Sequence, residues 1–210
     1  MRFQIEGRSA WLALGFVTLL FLAACSSALA GRNETGSSVV EEGLAATLTE
    51  GEVASEESQL PADFQINVYQ GEEVLGGQEI YFSELFGREQ PVVLNAWAGL
   101  CPPCRLEMPD FQEVHNEFEG RILLLGLDVG PFTNLGTSED GRALVQELGV
   151  TYPIGTTPDV EVVRAYKLIG MPTTYFIKPN GEVHRQWTGL LTKDKLTELV
   201  QELIEASNSV

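Results

Sequence analysis

Pro91-Val92-Val93-Leu94-Asn95-Ala96-Trp97-Ala98-Gly99-Leu100-Cys101-Pro102-Pro103-Cys104 is the stretch on which the reading of this chain turns. Its first half is a nearly continuous apolar run, as expected of a central strand buried on both faces. Its second half is a C-x-x-C placed where that strand gives way to a helix. A helix N-terminus carries free N–H groups and a partial positive charge, so a thiolate there is stabilised and attacks at neutral pH. Cys101 comes first, at the end expected to be exposed, and is the expected nucleophile. Cys104 lies one turn further in, within reach to resolve a mixed disulfide. Pro102 and Pro103 fit a first turn, where their missing N–H groups would be unpaired anyway.

Working outward, Phe64–Tyr69 alternates apolar and polar and reads as a strand, Gly76-Gly77 as a turn, and Ile80–Phe82 as a short strand. Ser83 is placed to cap a short helical turn. Ile122–Val129 is a second buried strand. Thr137 or Ser138 caps a helix running to Leu148, stopped by Gly149. Asp159 caps a short helix from Val160 to about Leu168. Thr173–Ile177 and Glu182–Trp187 flank Pro179-Asn180-Gly181 as a hairpin. Thr192 caps a last helix to about Ile204. Two consecutive strand–helix steps predict parallel central strands, and the closing hairpin makes the sheet mixed. The expected class is α/β: a central mixed sheet flanked by helices, with an N-terminal strand extension.

Asn95–Pro109, with Cys101-Pro102-Pro103-Cys104 at its centre, resembles the active-site segment of the TlpA/ResA-like proteins of the thioredoxin fold. Gly170-Met171-Pro172-Thr173-Thr174-Tyr175-Phe176-Ile177 resembles their cis-proline strand. The two motifs stand in the family's order, roughly 70 residues apart. The resemblance runs from about Pro61 to Ile204. It implies an extracytoplasmic thiol–disulfide oxidoreductase, often membrane-anchored, that acts on protein disulfides, including those of apocytochrome c before haem attachment. It also implies that Pro172 is the cis-proline facing the disulfide. Independently, a proline opening a strand withholds one donor and leaves a neighbouring backbone group free to pair with a substrate. Trp97, Leu100, Pro102, Pro103, Met171 and Thr173 complete the substrate-facing set.

Glu107 is the further residue of interest. At about 100° per residue it falls about 60° from Cys104, inside the arc of Met108, Phe111, Val114, His115 and Phe118. A carboxyl there is partly buried, with a raised pKa, and can exchange a proton during chemistry at Cys104. By resemblance, the position matches an active-site Glu of reductive family members. Asn95 stands where thioredoxins proper carry a buried Asp, which strengthens the case for Glu107. Leu100 departs from the bulky aromatic, mostly Trp, that the family places before the first Cys. Trp97 suits the core or the floor of the site, His115 the core, and His184 and Arg105 the surface.

The 210 residues are 44% hydrophobic and 20% charged, a globular composition. A net charge of −17 repels phosphate backbones, which excludes a nucleic-acid role. Three cysteines and two histidines exclude a disulfide scaffold and leave no metal site in prospect. Arg2 and Arg8 precede the uncharged stretch Trp11–Ala24, which is signal-peptide length rather than the roughly 20 residues of a membrane span. The stretch ends Leu22-Ala23-Ala24-Cys25, which resembles the bacterial lipobox and implies cleavage before Cys25 and its lipidation. Two acyl chains suffice for stable anchoring. Gly31–Leu60 has no aromatic and no proline but seven Glu, and is expected to be an acidic tether. The expected layout is therefore 1–24 signal peptide, 25–60 lipidated Cys and tether, and 61–210 folded domain, working as a monomer.

No flavin or nicotinamide fingerprint is present, so the expected redox group is the Cys101–Cys104 disulfide alone. A membrane dithiol donor must then recharge it. A disulfide oxidant or isomerase is the alternative direction of the same chemistry. A copper carrier, an inert structural disulfide and a peroxidase explain less of the two paired motifs.

Overall fold

β3 (Val92–Trp97) is buried at every residue, because both faces of the sheet it centres are covered. The structure is a computed structural model and describes residues 60–209. Cys25, the leader and nearly all of the acidic stretch lie outside the described residues. Along β3 the side chains alternate between two cores: Val93 and Trp97 enter one, Val92, Leu94 and Ala96 the other. β4 (Leu123–Asp128) repeats the pattern, with Leu124 on the first side and Leu123, Leu125 and Leu127 on the second.

The remaining strands are β1 (Gln65–Gln70), β2 (Glu79–Tyr81), β5 (Ile154–Thr156), β6 (Thr173–Ile177) and β7 (Val183–Thr188). They form one seven-stranded sheet in the order β2-β1-β5-β4-β3-β6-β7. β3 runs parallel to β4 and β4 to β5; every other pairing is antiparallel, so the sheet is mixed as expected. The helices are α1 (Glu72–Leu75), α2 (Pro102–Glu117), α3 (Gly130–Thr133), α4 (Ser138–Leu148), α5 (Glu161–Ala165) and α6 (Lys193–Ser207). α2 and α6 cover the first core with Cys104, Met108, Phe111 and Val114, and with Leu196, Leu199, Val200 and Leu203. The second core is aromatic: Phe64 stacks on Phe82 at 4.8 Å, and Tyr166 meets Phe64 and Tyr175 edge-on.

Several caps form where the residue types predict them. Thr137 accepts from Asp140 N–H and closes a capping box on α4, Gly149 ends that helix at φ 64°, and Thr192 caps α6. Other details differ. Ser83 lies inside a 3-10 turn (Phe82–Leu85) and contacts Asp63 instead of capping. α5 is shorter than expected, starting after Val160, with Asp159 accepting from Glu161 N–H and Lys167 in a left-handed conformation beyond its end. His184 is half-buried, not on the open surface.

β5 and the short helices α1 and α3 carry no periodicity legible in the sequence. β5 is three residues long with a glycine at its centre. A Cβ on Gly155 would stand 2.6 Å from Ile66 Cγ2, so the glycine exists to let β1 pair closely with β5. Among the described residues, no helix is long and apolar enough to cross a membrane.

Candidate active site

The redox pair forms where β3 ends and α2 begins. Cys101 caps α2 from extended backbone, and its Sγ accepts from Cys104 N–H at 3.3 Å. The two cysteines form a disulfide, with Cα atoms 5.3 Å apart. The sequence places Cys101 at an exposed end, but its side chain is only 3% exposed and Cys104 is fully buried. Cys101, the first residue of the pair, keeps the small remaining exposure. In the reduced state the Cys104 N–H and the helix N-terminus would stabilise a Cys101 thiolate.

Four of the substrate-facing candidates form a rim. Leu100 is 60% exposed, Pro102 is exposed, and Pro103 and Met171 are half-buried. The Met171–Pro172 peptide is cis, and Pro172 immediately precedes β6, which pairs with β3 up to Ala96 opposite Thr173. The cis-proline is therefore at the same end of the sheet as the disulfide. Gly189 N–H donates to Pro172 O at 2.8 Å, which ties the segment after β7 to it. Trp97 and Thr173 are not rim residues. Both are fully buried, and Thr173 Oγ1 donates to Gly170 O.

Glu107 is fully buried one turn after Cys104, on the same inward face of α2. Its Oε1 accepts from Asn95 Nδ2 at 2.9 Å and its Oε2 from Leu191 N–H at 3.0 Å. Burial pushes the carboxyl up to about 7, against the two hydrogen bonds, which favour the charged form. A group poised near 7 can both give and take a proton at neutral pH. As placed, Asn95 Nδ2 donates to Glu107 and to Thr174 Oγ1, while its Oδ1 has no partner. Turning the amide over would present Oδ1 to a protonated carboxyl.

Sequence reasoning missed three parts of this surround. Leu191 N–H comes from 84 residues along the chain, and no local signal announces it. Tyr152 lies fully buried in the same core; its hydroxyl has no partner, and burial and then the Glu107 charge raise its pKa. Asp128 is fully buried at the end of β4, directly opposite Trp97 of β3. A carboxylate ending an otherwise apolar strand was the signal that could have found it. His115 is half-buried beside Tyr152, its pKa lowered by burial, and Arg105 forms a surface ion pair with Glu147. Among the described residues, no group of three His, Cys, Asp or Glu side chains could hold a metal ion.

The sequence profile of the AhpC/TSA family matches residues 59–186, the span that carries β1 to β6, most of β7 and the disulfide. The chain belongs to the AhpC/TSA family. Within it, this is a thioredoxin-fold thiol–disulfide oxidoreductase of the ResA type. The thiol-disulfide oxidoreductase ResA of Oceanobacillus iheyensis is 34% identical over 146 residues, 70% of this chain and 72% of that protein. The sporulation thiol-disulfide oxidoreductase A of Bacillus subtilis is 26% identical, over 72% of this chain and 87% of its own. The fold is shared with the exposed lipoprotein thioredoxin of Streptococcus pneumoniae, at a TM-score of 0.55 and 22% identity over 67% of this chain and 99% of that one. Members of the family that align here thus carry redox names, in keeping with a helix-capping disulfide backed by a buried carboxyl.

Proposed function

We propose that this protein is a lipid-anchored, extracytoplasmic reductant of protein disulfides, with apocytochrome c as the first substrate class to test. The observation that carries the reading is Glu107, buried one turn behind the resolving Cys104 with its carboxyl near 7. In the reduced protein the Cys101 thiolate attacks one sulfur of a substrate disulfide. An S–S bond forms between them and the other substrate sulfur leaves as a thiolate. Cys104 gives its proton to Glu107 and attacks Cys101 Sγ. The substrate leaves with both cysteines reduced, and the Cys101–Cys104 disulfide re-forms, a two-electron exchange. An external dithiol then reduces the pair, returning the two electrons passed to the substrate.

The anchor rests on Leu22-Ala23-Ala24-Cys25, and the pneumococcal fold relative is itself named a lipoprotein. Pro172 and the Leu100, Pro102, Pro103 and Met171 rim would seat the substrate chain beside Cys101.

The experiment is a trap. Cys104→Ser leaves Cys101 unable to be resolved, so the variant should accumulate mixed disulfides with extracytoplasmic proteins, haem-free cytochromes c among them. A Cys101→Ser variant should capture none. Loss of labelling by radiolabelled palmitate in Cys25→Ser tests the anchor. A Cys104→Ser protein that captures nothing would overturn the reading.

A further inference from the structure

Asp128 does not take part in the exchange just described, yet it is a fully buried carboxylate at the active-site end of the sheet. Its Oδ1 accepts from Gly130 N–H at 2.9 Å, at the start of α3. Its Oδ2 accepts from Tyr69 Oη at 3.0 Å, from β1. That same oxygen occupies the space of a missing side chain on α4: a Cβ on Gly141 would stand 2.2 Å from it. Arg142 closes the outside, its guanidinium 3.7 Å from the centre of the Tyr69 ring. One carboxylate therefore joins β1, β4, α3 and α4.

The segment it joins is the one on which the redox loop rests. Leu100 N–H donates to Leu135 O at 2.7 Å. A Cβ on Gly99 would stand 2.6 Å from the Asp140 carbonyl carbon and Gly141 N, so the loop lies directly on the first turn of α4. A Cβ on Gly136 would reach 3.1 Å from Leu100 Cγ. Gly99 brings backbone against backbone and Gly136 lies against Leu100, and contacts this close leave little room for a shift to be absorbed.

We propose that Asp128 is a positioning residue for protein substrates: through Gly130, Tyr69 and Gly141 it holds the shelf that presents Leu100 beside Cys101. Leu100 is an apolar side chain left 60% exposed next to Cys101, so its placement governs how a polypeptide seats on the rim. A small disulfide needs only the sulfur and is indifferent to the shelf. The inference gives the N-terminal strand extension a task, since β1 supplies Tyr69. It rests on the disulfide-exchange reading above.

The test compares two substrates with the full chain and dithiothreitol as reductant: insulin, and hydroxyethyl disulfide as the small probe. Asp128→Ala is expected to raise KM for insulin about fivefold or more, with kcat and the hydroxyethyl disulfide kinetics within about twofold of the parent and the reduction potential unchanged. Asp128→Asn, which keeps an oxygen for Gly130 N–H, should restore most of the insulin KM. Should Asp128→Ala fail to fold, Tyr69→Phe deletes one donor and leaves the carboxylate, and a smaller rise confined to insulin KM is expected. An unchanged insulin KM, an equal loss on both substrates, or an Asn variant no better than Ala would each overturn the proposal. A parent protein that reduces neither disulfide would instead defeat the exchange reading itself.

Discussion

Replacing Glu107 by Gln removes the buried carboxyl behind Cys104, and its effect on stability follows from the structure. The carboxyl has an ordinary value of 4.5 and stands at about 7 in the folded protein. The native state therefore holds the proton more tightly than the unfolded chain. Stability from Glu107 is complete below pH 4.5 and is lost as pH rises through 7. At about 1.36 kcal/mol for each pH unit separating the two values, the loss is about 3 kcal/mol. The amide in Glu107→Gln is tolerated because Asn95 can turn over, offering its unpartnered Oδ1 to the new Nε2–H while Leu191 N–H keeps an oxygen. Urea unfolding of the oxidised parent and variant at about pH 4 and about pH 8.5 should show the variant gaining about 3 kcal/mol on the parent between the two. A difference that stays constant across that range would refute the assignment of Glu107 as a buried, proton-holding carboxyl.

Three further substitutions probe the surround. Gly126→Ala places a Cβ 2.9 Å from Trp97 Nε1 and 3.2 Å from Tyr152 Cε2, and should cost about 1–3 kcal/mol in urea unfolding by overpacking the floor of the site. Tyr152→Phe deletes a buried hydroxyl that has no partner, so stability should hold or rise by about 1 kcal/mol; a loss above that would mean the hydroxyl is satisfied. Arg105→Ala breaks an ion pair between side chains 44% and 60% exposed, and should change stability by less than about 1 kcal/mol and vanish into noise at high salt.

The parts of this fold that repeat a pattern were legible from residues alone. β3 and β4 are apolar apart from Asn95 and Asp128 because both faces are buried, and Thr137, Gly149 and Thr192 mark helix ends by local chemistry that acts within a turn. Glu107 was legible for the same reason: its position on α2 among Phe111, Val114 and Met108 is a matter of helical phase, and the side chain is buried where that phase puts it. What escaped depends on distant backbone. β5 owes its place to β1 and to the bare Cα of Gly155, and no three-residue window contains that information. The exposure of Cys101 was overestimated because the first residue of a helix is open in isolation, whereas here the cap packs into the first core. Trp97 and Thr173 sit beside rim residues in the sequence, but strand alternation and the β6–β7 pairing turn them inward. Asp128 needed Tyr69, Gly130 and Gly141 together before its burial had a meaning.

The direction of electron flow is the central claim, and the reduction potential of the Cys101–Cys104 pair tests it most directly. Equilibration of the full chain with dithiothreitol or glutathione buffers, read by thiol alkylation, places it on a scale from about −120 mV for a strong oxidant to about −270 mV for thioredoxin. A reductant backed by Glu107 should lie near about −270 mV or below. A value near about −120 mV would contradict the account and make the protein a disulfide donor.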